Sequence, residues 1–123
     1  MATIKSHTDL PQSKKLVEIF PIESADMYYS KYDTIHANTL YGSCDNQDFN
    51  IREYIPCWSL TALLNVLPDG LEDNHFLTLQ KEKNEYCCCY EDINGNSFRH
   101  TFADNPIDAC YELILKLHKL KML

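Results

Sequence analysis

The chain has 123 residues, a length typical of one domain, so we predict a single domain over 1–123. No apolar run approaches the roughly 18 residues that a membrane-spanning helix needs, and the N-terminal segment lacks an apolar signal core. Both features predict a cytoplasmic protein without a membrane partner. The formal net charge of −7 disfavours a nucleic-acid partner, because contacts to phosphate need Lys and Arg side chains.

The first predicted element is a helix that begins near residue 9. Thr8 or Asp9 can cap its N-terminus, and Gln12 can complete a capping box with Asp9. Because proline cannot continue a helix, Pro21 should end this one after Phe20.

The segment that follows has few apolar residues. Ser24 can cap a second helical turn, which would include Tyr28 and Tyr29. The stretch 31–51 is rich in Asn, Asp, Gly and Ser, so we predict mainly loop there, with room for one short strand.

A second amphipathic helix is predicted after Pro56. Its apolar residues recur at the spacing of one helix face, and Pro68 ends the pattern. Trp58 would lie at the first turn, where its indole N–H needs a hydrogen-bond acceptor. The apolar face consists of Leu60, Leu63, Leu64 and Leu67.

The last third of the chain predicts a three-stranded antiparallel meander. Its strands are His75–Lys81, Glu85–Asp92 and Ser97–Phe102, joined by short polar turns. Asn94 followed by Gly95 is a strong signal for a hairpin.

A final helix is predicted to pack on this meander. Asn105 can cap it, and Pro106 fits its first position. Its buried stripe would consist of Ala109, Cys110, Leu113, Ile114, Leu117 and Leu120. The predicted fold class is therefore α+β, with a three- or four-stranded antiparallel sheet and helices packed on one face.

Strand side chains alternate between the two faces of a sheet, which assigns the meander residues to faces. Phe98 and Phe102 are expected to face inward, toward the helices. The uncharged set of the second strand is also placed inward: Tyr86, Cys88 and Tyr90.

Three segments stand out as a set. They are Gln12–Leu16 leading to Ser24–Tyr29, Pro56–Leu60 leading to Leu64 and Leu67–Pro68, and Ala103–Ala109 followed by the helix to Leu120. As a set they resemble a family of small uncharacterised bacterial proteins encoded in prophages and other mobile elements. The resemblance covers most of the chain, and it implies a genomic setting without an activity that could be carried over.

Six cysteines are many for a chain of this length. A secreted disulfide scaffold usually spaces its cysteines and has a signal peptide, and three consecutive cysteines in one strand do not fit that pattern. We therefore predict six reduced thiols. They belong to Cys44, Cys57, Cys87, Cys88, Cys89 and Cys110.

No metal or cofactor site is predicted. Zinc sites usually combine two Cys-x-x-Cys type pairs, and the chain contains no such pair. His75 and His100 are expected on the face opposite Cys87 and Cys89, so four ligands would not converge.

No catalytic residue is predicted, and we expect a protein without enzymatic activity. Cys57 is the best candidate nucleophile, since it precedes a helix start whose dipole would favour the thiolate. No histidine is tied to it by sequence. A thiol enzyme or a metal-binding protein is kept as one alternative.

The leading hypothesis is an accessory or protein-interaction protein of a mobile element, with an unknown protein partner. Tyr28, Tyr29 and Trp58 are the candidate contact residues, because aromatic side chains are enriched at interface hot spots. A further alternative is an acidic inhibitor, or a nucleic-acid mimic, that acts on a host protein. A clustered acidic face in the structure would favour that alternative.

Overall fold

The computed structural model describes residues 5–29, 54–71 and 74–123, together with the backbone of 35–37. These residues divide into two compact units. The N-terminal unit is Ser6–Ala62, and the C-terminal unit contains Lys5 and Leu63–Leu123. A single domain over 1–123 stays a prediction. Cys44 and the rest of the predicted loop over 31–51 lie outside the described residues.

Both units combine helix with antiparallel sheet, so the predicted α+β class is confirmed. The N-terminal unit contains helix α1 (Leu10–Val17), a short 3₁₀ turn and a three-stranded sheet. Its strands are β1 (Met27–Tyr29), β2 (Ile35–Ala37) and β3 (Ile55–Cys57), in the order β2-β1-β3. Helix α2 (Leu60–Val66) begins in this unit and continues into the next.

Helix α1 begins as its sequence predicts and ends earlier. The Asp9 side chain accepts a hydrogen bond from the Gln12 amide, and the Gln12 side chain accepts one from the Asp9 amide. The helix ends at Val17 instead of Phe20, because the amides of Ile19 and Phe20 both donate to the carbonyl of Leu16 in a tightened last turn.

The second predicted helical turn is wrong, since Tyr28 and Tyr29 lie in strand β1. Tyr28 pairs with Pro56 of β3 on one side and with His36 of β2 on the other. This pairing joins residues distant in the chain, and it satisfies the backbone hydrogen bonds that a local helix would have formed. The Ser24 hydroxyl donates to the carbonyl of Pro21 and caps no helix.

The C-terminal unit confirms the predicted meander and its helix. It contains β4 (Gly70–Leu71), β5 (His75–Glu82), β6 (Glu85–Glu91), β7 (Ser97–Ala103) and α3 (Pro106–Lys119). The four strands pair in the order β4-β5-β6-β7, and every pairing is antiparallel. Helix α3 packs against β6 and β7.

Local signals at both ends of β7 form the expected structures. Gly95 has a φ of 84°, which the turn between β6 and β7 requires, and its amide donates to the carbonyl of Asp92. Asn105 caps α3 by accepting from the Asp108 amide at 2.8 Å.

The core of the C-terminal unit lies between α3 and the sheet. The sulfur atoms of Cys88 and Cys110 are 3.6 Å apart, and the Thr101 hydroxyl donates to the carbonyl of Ala109. The sequence pattern places Leu120 in the buried stripe, but this residue is 43% exposed, because α3 ends one residue before it. The buried residues of α3 are Ile107, Ala109, Cys110, Leu113, Ile114 and Leu117.

A bulge in β7 places its two phenylalanines on opposite faces of the sheet. The pairing shifts between Cys88 and Tyr90, and Arg99 has a φ of 54°. Phe98 therefore lies opposite Tyr90, on the helix side, whereas Phe102 lies opposite Cys87. The prediction that both rings face inward is wrong for Phe102.

The longest described helix, α3, has 14 residues. Among the described helices, none has both the length and the apolar character that crossing a membrane requires.

Candidate functional site

The side of β5, β6 and β7 that faces away from α3 is the candidate site, and we call it the outer face. The strand register, together with the contacts that residues on the opposite side make with α3, identifies the residues on the outer face. They are Phe76, Thr78, Gln80, Glu82, Glu85, Cys87, Cys89, Glu91, Ser97, His100 and Phe102.

Two large aromatic side chains are exposed on the outer face. Phe76 is 60% exposed and Phe102 is 52% exposed, and the His100 ring meets the Phe102 ring edge-on at 5.3 Å. In an antiparallel sheet with one solvated face, that face is usually polar. Folding gains little from a phenylalanine left half in water, so packing within the chain does not explain these two.

The charged residues on the outer face are all acidic. Glu82 and Glu85 are direct cross-strand partners at the hairpin end of β5 and β6, and Glu91 accepts a hydrogen bond from the Gln80 amide group at 2.9 Å. Like charges directly opposite each other destabilise a sheet, so this pair does not serve stability. Lys81 belongs to the other side, where its ammonium group lies 5.7 Å from the centre of the Tyr86 ring.

The outer face pairs each exposed ring with a carboxylate. Phe76 is directly opposite Glu91, and directly opposed residues have Cβ atoms about 5 Å apart. Phe102 is opposite Cys87, which places Glu85 at the diagonal position, about 7 Å away. The two ring–carboxylate pairs therefore lie at opposite corners of the face.

The cysteines of β6 have properties that suppress thiol reactivity. Burial raises the pKa of Cys87 and raises the pKa of Cys89 to about 12, while the hydrogen bond with Cys110 is the main cause of the raised pKa of Cys88. A thiol must ionise to act as a nucleophile, so these three are poor nucleophiles at neutral pH. No disulfide joins the five cysteines within the described residues.

These raised pKa values predict that the free energy of unfolding falls when the pH rises from 7.5 to 9.5. Thiols of an unfolded chain ionise near pH 8.5, whereas the folded pKa of Cys89 is about 12. Between these values the folded state holds more protons than the unfolded state, so stability is fully present below about pH 8 and is lost with rising pH. The urea midpoint at each pH measures the effect, and Cys89→Ala should reduce it. If the urea midpoint of Cys89→Ala depends on pH as strongly as that of the parent, this prediction is contradicted.

Cys57, the candidate nucleophile of the sequence, is completely buried in β3, opposite Met27. The expectation about the histidines is wrong for His100, because the β7 bulge puts it on the same face as Cys87 and Cys89. Even so, within the ranges 5–29, 54–71 and 74–123 no three His, Cys, Asp or Glu side chains are grouped to hold a metal ion.

Trp58 is a core residue and lies in no surface patch, since its exposed fraction is 0%. Its indole N–H donates to the Ser24 hydroxyl at 3.0 Å, and its amide donates to the Thr8 hydroxyl at 3.1 Å. The indole therefore has the acceptor that its burial requires.

Tyr28 and Tyr29 are partly buried on alternate sides of β1. The Tyr28 ring packs edge-on against Tyr54, with ring centres 5.2 Å apart. The Tyr29 hydroxyl donates to the carbonyl of Thr8 at 2.8 Å. The structure does not join the two tyrosines and Trp58 into one exposed patch, and a protein contact through Tyr28 or Tyr29 stays a prediction.

The sequence predicts no site on the outer face, although part of the signal for one is there. Phe76 alternates with Leu77 and Leu79, so placing the leucines inward already turns Phe76 outward. Phe102 has no such signal, because its orientation depends on the bulge at Arg99.

No family model, no curated protein and no solved structure matches this chain. Membership of the mobile-element family therefore stays a prediction. The residues of the chain itself are the source of the functional proposal.

Proposed function

We propose that this protein is a non-enzymatic accessory protein of the cytoplasm that acts by binding another protein through its outer face. The observation that supports this most directly is the exposure of Phe76 and Phe102 on one sheet face. Exposed apolar surface rimmed by polar groups is characteristic of protein-binding sites, and aromatic residues contribute disproportionately to binding energy there.

The setting that we propose is a mobile genetic element, as the resemblance of the three sequence segments implies. The net charge of −7 supports a protein partner over nucleic acid, because few cations are available to contact phosphates. The proposal involves no cofactor.

A second candidate function is an acidic inhibitor that occupies a basic or nucleic-acid-binding site on a host protein. The specific observation in its favour is that Glu82, Glu85 and Glu91 share the outer face. The guanidinium group of Arg99, in the β7 bulge, lies 4.4 Å from the centre of the Phe98 ring, which is on the helix side. The thiol alternative has less support, since the side chain of Cys57 is completely buried.

The double substitution Phe76→Thr and Phe102→Thr should remove the partner while leaving the fold intact. Threonine suits strands, so the change takes away exposed aromatic surface without weakening β5 or β7 through low strand propensity. Affinity capture from extracts of the native cells, followed by mass spectrometry, compares the parent with the variant. Proteins recovered by the parent should be reduced at least about tenfold, since interface aromatic residues often contribute 2 kcal/mol or more.

Ile93→Thr is the matched control, because Ile93 is 89% exposed in the turn between β6 and β7 and lies outside the outer face. This variant should recover the same proteins as the parent. Circular dichroism and thermal unfolding confirm that all variants are folded. An unchanged partner set with the double variant would argue against the proposed function.

A further inference from the structure

We infer that the outer face binds an extended, basic segment of a partner protein, in which two Lys or Arg residues are separated by four or five positions. This inference rests on the proposed function, that the outer face is a protein-binding surface. It adds the chemistry of the partner and a spacing that can be tested.

The negative charge of the outer face favours a positively charged partner segment. Glu82, Glu85 and Glu91 contribute three carboxylates. Of the two lysines next to Glu82 in sequence, Lys81 lies on the other side of the sheet and Lys83 is in the hairpin turn. A basic partner relieves the repulsion between Glu82 and Glu85, which the folded chain itself leaves opposed. An acidic partner would be repelled, and like-charge contacts across an interface strongly suppress wrong partners.

Each ring–carboxylate pair fits one long basic side chain. A Lys or Arg stem can lie along an aromatic ring while its charged end reaches a carboxylate beside the ring. Phe76 with Glu91 offers one such position, and Phe102 with Glu85 offers the other. Each contact combines burial of apolar surface with a charge pair. Neither an uncharged nor an acidic side chain could therefore fully replace the basic one.

The sheet geometry sets the distance between the two positions. Phe76 and Phe102 lie on β5 and β7, two strand spacings apart, and their partners Glu91 and Cys87 on β6 are four residues apart. With about 4.8 Å between strands and about 3.4 Å per residue, the two phenylalanines are roughly 17 Å apart. An extended segment covers that distance in about five residues, and the length of Lys and Arg side chains also allows four.

A random library of 12-residue peptides displayed on phage provides the probe. The library is selected on the parent protein, with removal of phage that bind the Phe76→Thr, Phe102→Thr variant. Enriched peptides should have net positive charge, with Lys or Arg pairs separated by four or five positions more often than at other separations. The strongest of them is then synthesised, and its affinity is measured by fluorescence anisotropy.

The triple variant Glu82→Gln, Glu85→Gln, Glu91→Gln should bind this peptide about tenfold more weakly than the parent. Glutamine retains the size and hydrogen bonding of each side chain, including the contact between residues 80 and 91. The matched control is Glu18→Gln, Glu23→Gln, Glu112→Gln, which removes the same charge from exposed positions outside the three strands and should bind like the parent. Raising the salt concentration from 0.05 M to 0.5 M should weaken binding of the parent more than binding of the outer-face triple variant.

The possible outcomes separate this inference from the proposed function. Enriched peptides that need Phe76 and Phe102 but are neutral or acidic, or that bind the outer-face triple variant as well as the parent, would overturn the basic-segment inference alone. A selection that enriches no peptide, or only peptides that bind equally well to the Phe76→Thr, Phe102→Thr variant, would count against both.

Discussion

Ile114→Asp should leave the C-terminal unit unfolded under native conditions. Ile114 has no exposed surface, and it belongs to the α3 stripe that packs against the sheet. A buried carboxylate without a partner costs more than about 4 kcal/mol, which is comparable with the 5–15 kcal/mol that holds a typical domain together. The far-ultraviolet circular dichroism of α3 and the sheet should be largely lost, and no cooperative thermal transition of this unit should remain.

Two substitutions control for the choice of residue. Glu112→Asp introduces the same side chain at an exposed position of α3, and it should change stability by less than about 0.5 kcal/mol. Ile114→Val removes one buried methylene group and should cost about 0.5–1.5 kcal/mol. Should Ile114→Asp melt at the temperature of the parent, the assignment of this residue to the core would be wrong.

Trp58→Ala should lower the free energy of unfolding by about 3–5 kcal/mol, the range observed for truncation of large buried aromatic residues. The effect is large because Trp58 is completely buried and its indole N–H also donates to the Ser24 hydroxyl, whereas the bond from its backbone amide to Thr8 is retained in the variant. Removing the ring leaves a cavity among residues that are brought together from distant parts of the chain. Urea unfolding followed by circular dichroism measures the loss, since Trp58 is the single tryptophan and its fluorescence disappears with it.

Trp58→Phe separates the hydrogen bond from the packing. This variant keeps an aromatic ring but loses the indole donor, so it should cost only roughly 1–2 kcal/mol. The Ser24 hydroxyl retains its own bond to the carbonyl of Pro21 and is not left unsatisfied. Equal stability of the Ala and Phe variants would show that the buried ring contributes little and would contradict the core role of Trp58.

Several elements are encoded locally and were therefore predictable. The capping box of Asp9 and Gln12, the Asn94–Gly95 turn and the Asn105 cap each act within four residues of chain. The alternation of β5 and the helical stripe of α3 are equally local, because both depend on backbone periods of two and 3.6 residues. These signals were enough for the α+β class and for the order of the C-terminal elements.

The elements that were mispredicted depend on contacts between distant residues. Tyr28 and Tyr29 follow a possible cap at Ser24, yet they form β1 because β2 and β3 supply partners for their backbone groups. The sequence offers Trp58 as a candidate contact residue, but it is completely buried, and its hydrogen-bond partners Ser24 and Thr8 are 34 and 50 residues away. A short helical turn offers fewer backbone hydrogen bonds than pairing on both sides of a strand, so the tertiary arrangement decided the outcome.

The outer face shows the same division within one site. Its acidic residues and Phe76 follow from strand alternation, so the sequence by itself determined which side of β5 and β6 they occupy. Phe102 and His100 joined them only because β7 contains a bulge, which reverses the alternation after Arg99. A bulge arises from the pairing of two strands and from no pattern within one of them. Only the tertiary structure could therefore bring the second exposed ring to the face that carries the carboxylates.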